Sequence, residues 1–186
     1  MDKSIPISAI GERSLIAYIS EIFNTSNNPD VIKKAGEDDC AVIDLGAEEF
    51  LVVTTDMLHR KTDFPLQMSA WQIGWMSAAV NLSDVAAMGA SPSGILAAFG
   101  LPEDTELGFV EDVSKGLKDC ANYCETSVIG GDMDNHDELT ITGTAIGRIH
   151  KQNLLTRSGA KKGDKICVTG YTGSAGAALH AIENNI

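Results

Sequence analysis

The chain has 186 residues, of which 44% are hydrophobic and 5% aromatic, values that suit one folded domain with the beginning of a second and argue against disorder. With 26 acidic residues against 14 basic ones, the formal net charge of −12 excludes a general affinity for nucleic acid or anionic membranes, since both require a basic surface. A phosphorylated ligand would therefore depend on metal ions for much of its compensating positive charge.

From the N-terminus, Leu15, Ile16, Ile19, Ile22 and Phe23 recur at helical spacing and predict a helix from Glu12 to about Phe23, ended by the turn residues NTSNNPD. The runs CAVIDL and FLVVTTD predict a hairpin across GAEE, and a long helix follows from about Ser69 to Met88, stopped by Gly89 and Pro92. GILAAFGL reads as a strand, and DTELGFVEDVSKGLKDCANYC as a helix opened by a cap at Asp104 or Thr105. SVIGGD and LTITGTAIGRI read as two more strands around the turn-like MDNHDE. This order predicts an α+β, layered domain over residues 1–149, with a four-stranded mixed sheet packed by helices. CAVID, LVVTTD, ILAAFG and TITGTAIG are apolar on both faces, so one sheet face is expected to serve dimerisation.

After Ile149 the texture changes. HKQNLLTRSGAKKGD reads as a connector, and KICVTGYTGSAGAALHAI as a strand, a glycine-rich turn and a helix, so residues 150–186 are expected to be a linker and the truncated start of a second domain. The N-terminus lacks the basic and apolar regions of a signal peptide, and no apolar run reaches membrane-spanning length, so a cytoplasmic protein is expected. Cys40, Cys120, Cys124 and Cys167 form no C-x-x-C pair and read as small hydrophobes in a reducing compartment.

One residue resists a bland explanation. The segment WQIGWMSAAVNLSDVAAMGAS is apolar almost all round, yet carries Asp84. A buried carboxylate costs several kcal/mol (roughly) unless a cation compensates it. Further carboxylates lie where strands begin or end: Asp38 and Asp39 before CAVIDL, Asp56 after Thr54 and Thr55, and Asp132 and Asp134 after Gly130 and Gly131. These are hard oxygen donors of the kind Mg²⁺ takes when phosphates and water complete its shell. On spacing alone Asp38 and Asp39 read as an ordinary acidic turn, while Asp56 reads equally as a cap and Gly130 and Gly131 equally as a tight turn; the four histidines are scattered. The G-x-x-x-x-G-K-[ST] phosphate loop is absent.

GEDDCAV, TTDM, NLSDVAAMGA, IGGD and LTRSGAKKGD, in this order, resemble the thiamine-monophosphate kinase family of the aminoimidazole-ribonucleotide-synthetase-like ATP-binding superfamily, from about Glu12 onward. The resemblance implies a homodimer joined through its N-terminal domains, with ATP, several Mg²⁺ ions and thiamine monophosphate as ligands, and transfer of a phosphoryl group to give thiamine diphosphate. It implies that Asp39, Thr54, Thr55, Asp56, Asp84 and Asp132 are magnesium ligands, and that Gly131, Asp132 and Arg157 meet the nucleotide. No acid or base catalyst is assigned, because the acceptor is already an ionised phosphate. The chain departs from the pattern in HRKTDFP, which puts Asp63 where many family members carry histidine, so the acceptor falls to Asp63, Arg60 or Lys61. Two alternatives stay open: another enzyme of the superfamily, such as a selenophosphate synthetase or a purine-biosynthesis enzyme, and a non-catalytic dimerisation or nucleotide-sensing module. A selenophosphate synthetase would carry a reactive Cys or selenocysteine near a Lys in its N-terminal segment, and no cysteine precedes Cys40.

Overall fold

A computed structural model describes residues 4–25, 28–46, 48–184 and 186. Helix α1 (Glu12–Phe23) is followed by strands β1 (Val31–Lys33), β2 (Ala41–Asp44) and β3 (Glu49–His59), helix α2 (Ala70–Ala87), strand β4 (Ser91–Leu101), helix α3 (Leu107–Tyr123), strands β5 (Val128–Asn135) and β6 (Thr140–His150), and helix α4 (Ser174–Asn184). The strands form one six-stranded sheet in the order β1-β2-β3-β6-β4-β5, antiparallel except for the β4–β5 pair. The fold class is α+β and the sheet mixed, as expected, but it has six strands rather than four. Of its two edges, β5 falls on the expected SVIGGD run, whereas β1 was not expected, because a strand of three residues has no room to show an alternating pattern.

β6 shows why the sheet has one covered face. Ile141, Gly143, Ala145, Gly147 and Ile149 are buried in strict alternation, while their neighbours are not. The buried rows meet α2: a Cβ built on Gly143 would lie 2.1 Å from Nδ2 of Asn81, and one on Gly147 would lie 2.5 Å from Val85. Leu51, Val53, Leu96, Ala98 and Ile146 point to the opposite face and remain partly accessible.

Helix α2 starts with a capping box in which the Ser69 side chain accepts from the Gln72 N–H and the Gln72 side chain accepts from the Ser69 N–H. It ends at Gly89, whose φ of 72° supplies the left-handed turn that closes it. α3 begins after Glu106 with no side-chain cap, so the expected cap at Asp104 or Thr105 is not formed. Pro92 lies inside β4, where a register shift between Pro92 and Gly94 accommodates its missing N–H. The strand expected at KICV does not form; residues 165–168 are exposed and have no neighbouring strand to pair with, and only helix α4 of that unit is present. No described helix is long and apolar enough to cross a membrane.

Candidate functional site

The register of the sheet sorts the candidate residues. Asp56 pairs with Gly143 and Gly143 with Ala97, so these three share the face under α2, while Gly131 pairs with Ala97 from the exposed edge strand β5. Thr54 is two residues before Asp56 on the same strand and faces the same way. Helix α2 brings Asp84 down onto this row, where its Oδ2 accepts a 2.8 Å hydrogen bond from the Thr54 hydroxyl. The loop before β2 adds Asp39, whose carboxylate receives the guanidinium of Arg157. Asp39, Thr54, Asp56, Asp84 and Arg157 thus converge from four separate segments. Asp38, beside them, is taken up structurally: its side chain is 1% exposed, pairs with Lys33 at 3.4 Å and accepts from the Arg157 N–H.

Thr55 and Asp132 fall on the other face. Thr55 pairs with Thr144, receives its hydroxyl hydrogen bond at 3.2 Å, and donates to the carbonyl of Gly143 at 2.7 Å. Asp132 lies in the row of Ala98, Thr142 and Met57, three strands away from β3, roughly 14 Å at the usual strand spacing. Within one chain the structure therefore brings together four of the six expected metal ligands and leaves Thr55 and Asp132 on the uncovered face. Gly131 is constrained by its neighbour: a Cβ there would lie 1.8 Å from the carbonyl oxygen of Ala97.

The electrostatics of the convergent group are those of a cluster short of cations. Asp84 titrates above the ordinary carboxylate range, first because it is buried and then because Asp56 and Asp39 repel its charge, with the Thr54 hydroxyl and Arg157 acting in the opposite direction. Among the described residues, no three of His, Cys, Asp and Glu stand close enough to hold a metal ion unaided. The donor set still fits Mg²⁺, which is ordinarily bound through one or two carboxylates plus substrate phosphates rather than by a protein cage. Arg157 occupies the cation position on Asp39.

Cys40, next to Asp39, is buried, and its thiol is pushed up to about 12 by burial and by the charges of Asp84, Asp39 and Asp38. Cys120 is also raised to about 12, by burial and by Cys124 beside it, and Cys167 is exposed. Treating the native protein with a thiol reagent at pH 8 is expected to modify Cys167 promptly and to spare Cys40 and Cys120 until denaturant is added. Fast native labelling of Cys40 would show that the strand opens.

At the far end of β3, Asp63 closes a turn: its Oδ2 accepts from the His59 N–H at 2.7 Å and the Thr62 hydroxyl at 2.8 Å. Lys61 pairs with Glu138 at 3.5 Å. Arg60 donates to the Leu66 carbonyl through Nη2, while its Nη1 is buried with no partner among the described residues. These residues line a cavity of about 580 Å³ closed on one side by Leu179 and Glu183 of α4. Arg60 thus keeps a buried guanidinium nitrogen with no partner among the described residues.

Asn81 escaped the sequence reading. It is 1% exposed, and Oδ1 accepts from the Asp56 N–H at 2.9 Å. The signal was present in NLSD, where Asn81 sits three residues before Asp84 on the same apolar helix.

Residues 37–149 match the family described as AIR synthase related protein, N-terminal domain, and the chain belongs to it. Over 138 residues it is 50% identical to the thiamine-monophosphate kinase of Methanospirillum hungatei, a match covering 74% of this chain and 47% of that protein. The thiamine-monophosphate kinase of Archaeoglobus fulgidus is 38% identical over 172 residues, covering 92% of this chain and 55% of the relative. Among solved structures, AaThiL complexed with AMPPCP and TMP aligns with a TM-score of 0.87 at 26% identity, covering 100% of this chain and 56% of that one. The chain spans about half the length of these relatives.

Proposed function

We propose that this member of the AIR synthase related family takes part in transferring the γ-phosphoryl group of ATP to thiamine monophosphate, giving thiamine diphosphate and ADP. The observation that carries the reading is the convergence of Asp39, Thr54, Asp56 and Asp84 beside Arg157, in a chain 50% identical over 138 residues to a thiamine-monophosphate kinase. The AMPPCP and TMP bound by the structural relative support the same pair of substrates.

In this reading Asp39, Thr54, Asp56 and Asp84 would hold Mg²⁺, while Thr55 and Asp132, on the open face, would have to serve a separate ion. Bound magnesium would supply the positive charge that two anionic substrates and a chain of net charge −12 otherwise lack. Arg157 exchanges its partner Asp39 for the nucleotide, whose phosphates the backbone at Gly131 meets. Arg60, with Nη1 unpaired, and Lys61 receive the acceptor phosphate, while Asp63 keeps the turn that presents them. The acceptor oxygen is already ionised, so positioning and charge neutralisation carry the catalysis and no general base is needed. The uncovered sheet face is the surface through which two chains pair, and the reaction belongs in the cytoplasm. Residues 1–149 form the nucleotide- and metal-binding domain, and residues 150–186 lead into a second one.

The test joins residues 1–149 to the second half of the Methanospirillum hungatei relative. The chimera is expected to sediment as a dimer and to form thiamine diphosphate from ATP and thiamine monophosphate, whereas the 186-residue chain alone forms none. A folded, dimeric chimera that binds ATP but leaves thiamine monophosphate unchanged would overturn the assignment.

A further inference from the structure

We infer that Asn81 is a positioning residue for the proposed metal site, acting through the backbone of Asp56; this rests on the reading of Asp39, Thr54, Asp56 and Asp84 as magnesium ligands. Asn81 is a fully enclosed amide, 1% exposed, in a helix otherwise buried through apolar or small side chains. A buried amide there is costly unless each end is satisfied, and both ends are. Oδ1 accepts from the Asp56 N–H at 2.9 Å, and Nδ2 donates to the Ser77 carbonyl, one helical turn back, at 3.0 Å.

Asp56 lies opposite Gly143 in the β3–β6 ladder and beyond Val53, where the pairing of β3 with β2 ends, and its N–H is met by a side chain from the helix above. Gly143 makes this possible: any side chain at that position would collide with the Asn81 amide, since a Cβ would lie 2.1 Å from Nδ2 and 2.6 Å from Cγ. On the far side, the Gly143 carbonyl takes the Thr55 hydroxyl at 2.7 Å. Asn81 thus ties helix α2 to β3 at the residue whose carboxylate must face Asp84, and does so three residues along the helix from Asp84 itself. One turn of α2 sets both the distance between the two carboxylates and the direction of one of them. Groups that hold metal ligands in place commonly govern affinity about 10–100-fold when removed.

The test uses the 186-residue chain with Mn²⁺ and AMPPCP, read by electron paramagnetic resonance, together with the amide exchange rate and ¹⁵N shift of Asp56. Asn81→Leu, branched at the same carbon but without hydrogen-bonding atoms, is expected to weaken Mn²⁺ binding about 10-fold or more and to speed exchange at Asp56, with far-ultraviolet circular dichroism unchanged. Asn81→Leu is a buried change, so Gly143→Ala provides the second arm: it displaces the Asn81 amide without altering it, and the same two readouts are expected to move. If Mn²⁺ affinity stays within about twofold of the parent in folded variants, the positioning role is overturned while the metal reading stands. If the parent chain binds no Mn²⁺ even with AMPPCP, and Asp84→Asn changes nothing, the metal reading fails and this inference falls with it.

Discussion

A single methyl group added at Gly74 or Gly116 is expected to be strongly destabilising. α2 and α3 cross in backbone contact: a Cβ at Gly74 would lie 1.8 Å from the carbonyl oxygen of Val113, and a Cβ at Gly116 would lie 1.9 Å from that of Trp71. The offending atoms are main chain in helices, so no rotamer change relieves the overlap and the helices must part. Parting them opens the core that Ile73, Val113, Leu117 and Cys120 close. Overpacking ordinarily costs about 1–3 kcal/mol, and a contact this short belongs at or beyond the upper end. For a chain of this size each kcal/mol lowers Tm by roughly 2–4 °C. Thermal unfolding followed by circular dichroism should therefore show a fall of about 6 °C or more for Gly74→Ala and for Gly116→Ala. Gly108→Ala is the control, because a Cβ there meets nothing within 4 Å and alanine favours the helix by up to about 1 kcal/mol. Equal Tm values for all three variants would show that the helices are not packed as closely as this.

That helix crossing was not legible in the sequence. Gly74 and Gly116 sit in helical patterns where glycine reads only as a mild weakness, and nothing in either segment says that each faces the other's backbone. The central strands were legible because burial on alternate residues writes itself into β6 and because VVTT and AAFG are long enough to carry a pattern. β1 was not, since three residues of edge strand hold no period. Asp84 was read from a local contradiction, a carboxylate on an apolar helix, and the contradiction is real: it is half-buried beside Thr54 and short of positive charge. Asp132 shows the opposite case. Its motif placed it in the metal set, but which face of the sheet it occupies depends on the register of three strand pairs, and a one-residue shift would reverse it. Asn81 was overlooked because its partner is a backbone N–H, which no residue pattern records.

Asp84→Asn is expected to give a chain that is more stable and functionally empty. Burial, then the neighbouring charges of Asp56 and Asp39, raise the Asp84 pKa above its ordinary value of 3.8. The folded chain consequently holds the Asp84 proton more tightly than the unfolded chain does. Over the window between 3.8 and the raised folded value, the native state binds more protons, so stability falls as pH rises and stays lowered above the window. Asparagine has no proton to lose, and its Oδ1 can still accept from the Thr54 hydroxyl. In the absence of divalent ions the variant should therefore melt a few degrees above the parent at pH 7 and show a flatter profile between pH 4 and pH 7 than the parent (roughly, from the same linkage). Added Mg²⁺ with nucleotide should reverse the order, because a ligand stabilises only the form that binds it. In the chimera used to test the proposed reaction, the same substitution should lower thiamine diphosphate formation by at least about 10²-fold. Stability gained where function is lost marks a residue retained for its chemistry rather than its packing. A variant that melts below the parent at neutral pH without metal would point the other way, to Asp84 as a structural acceptor for Thr54, and would remove the central member of the proposed metal site.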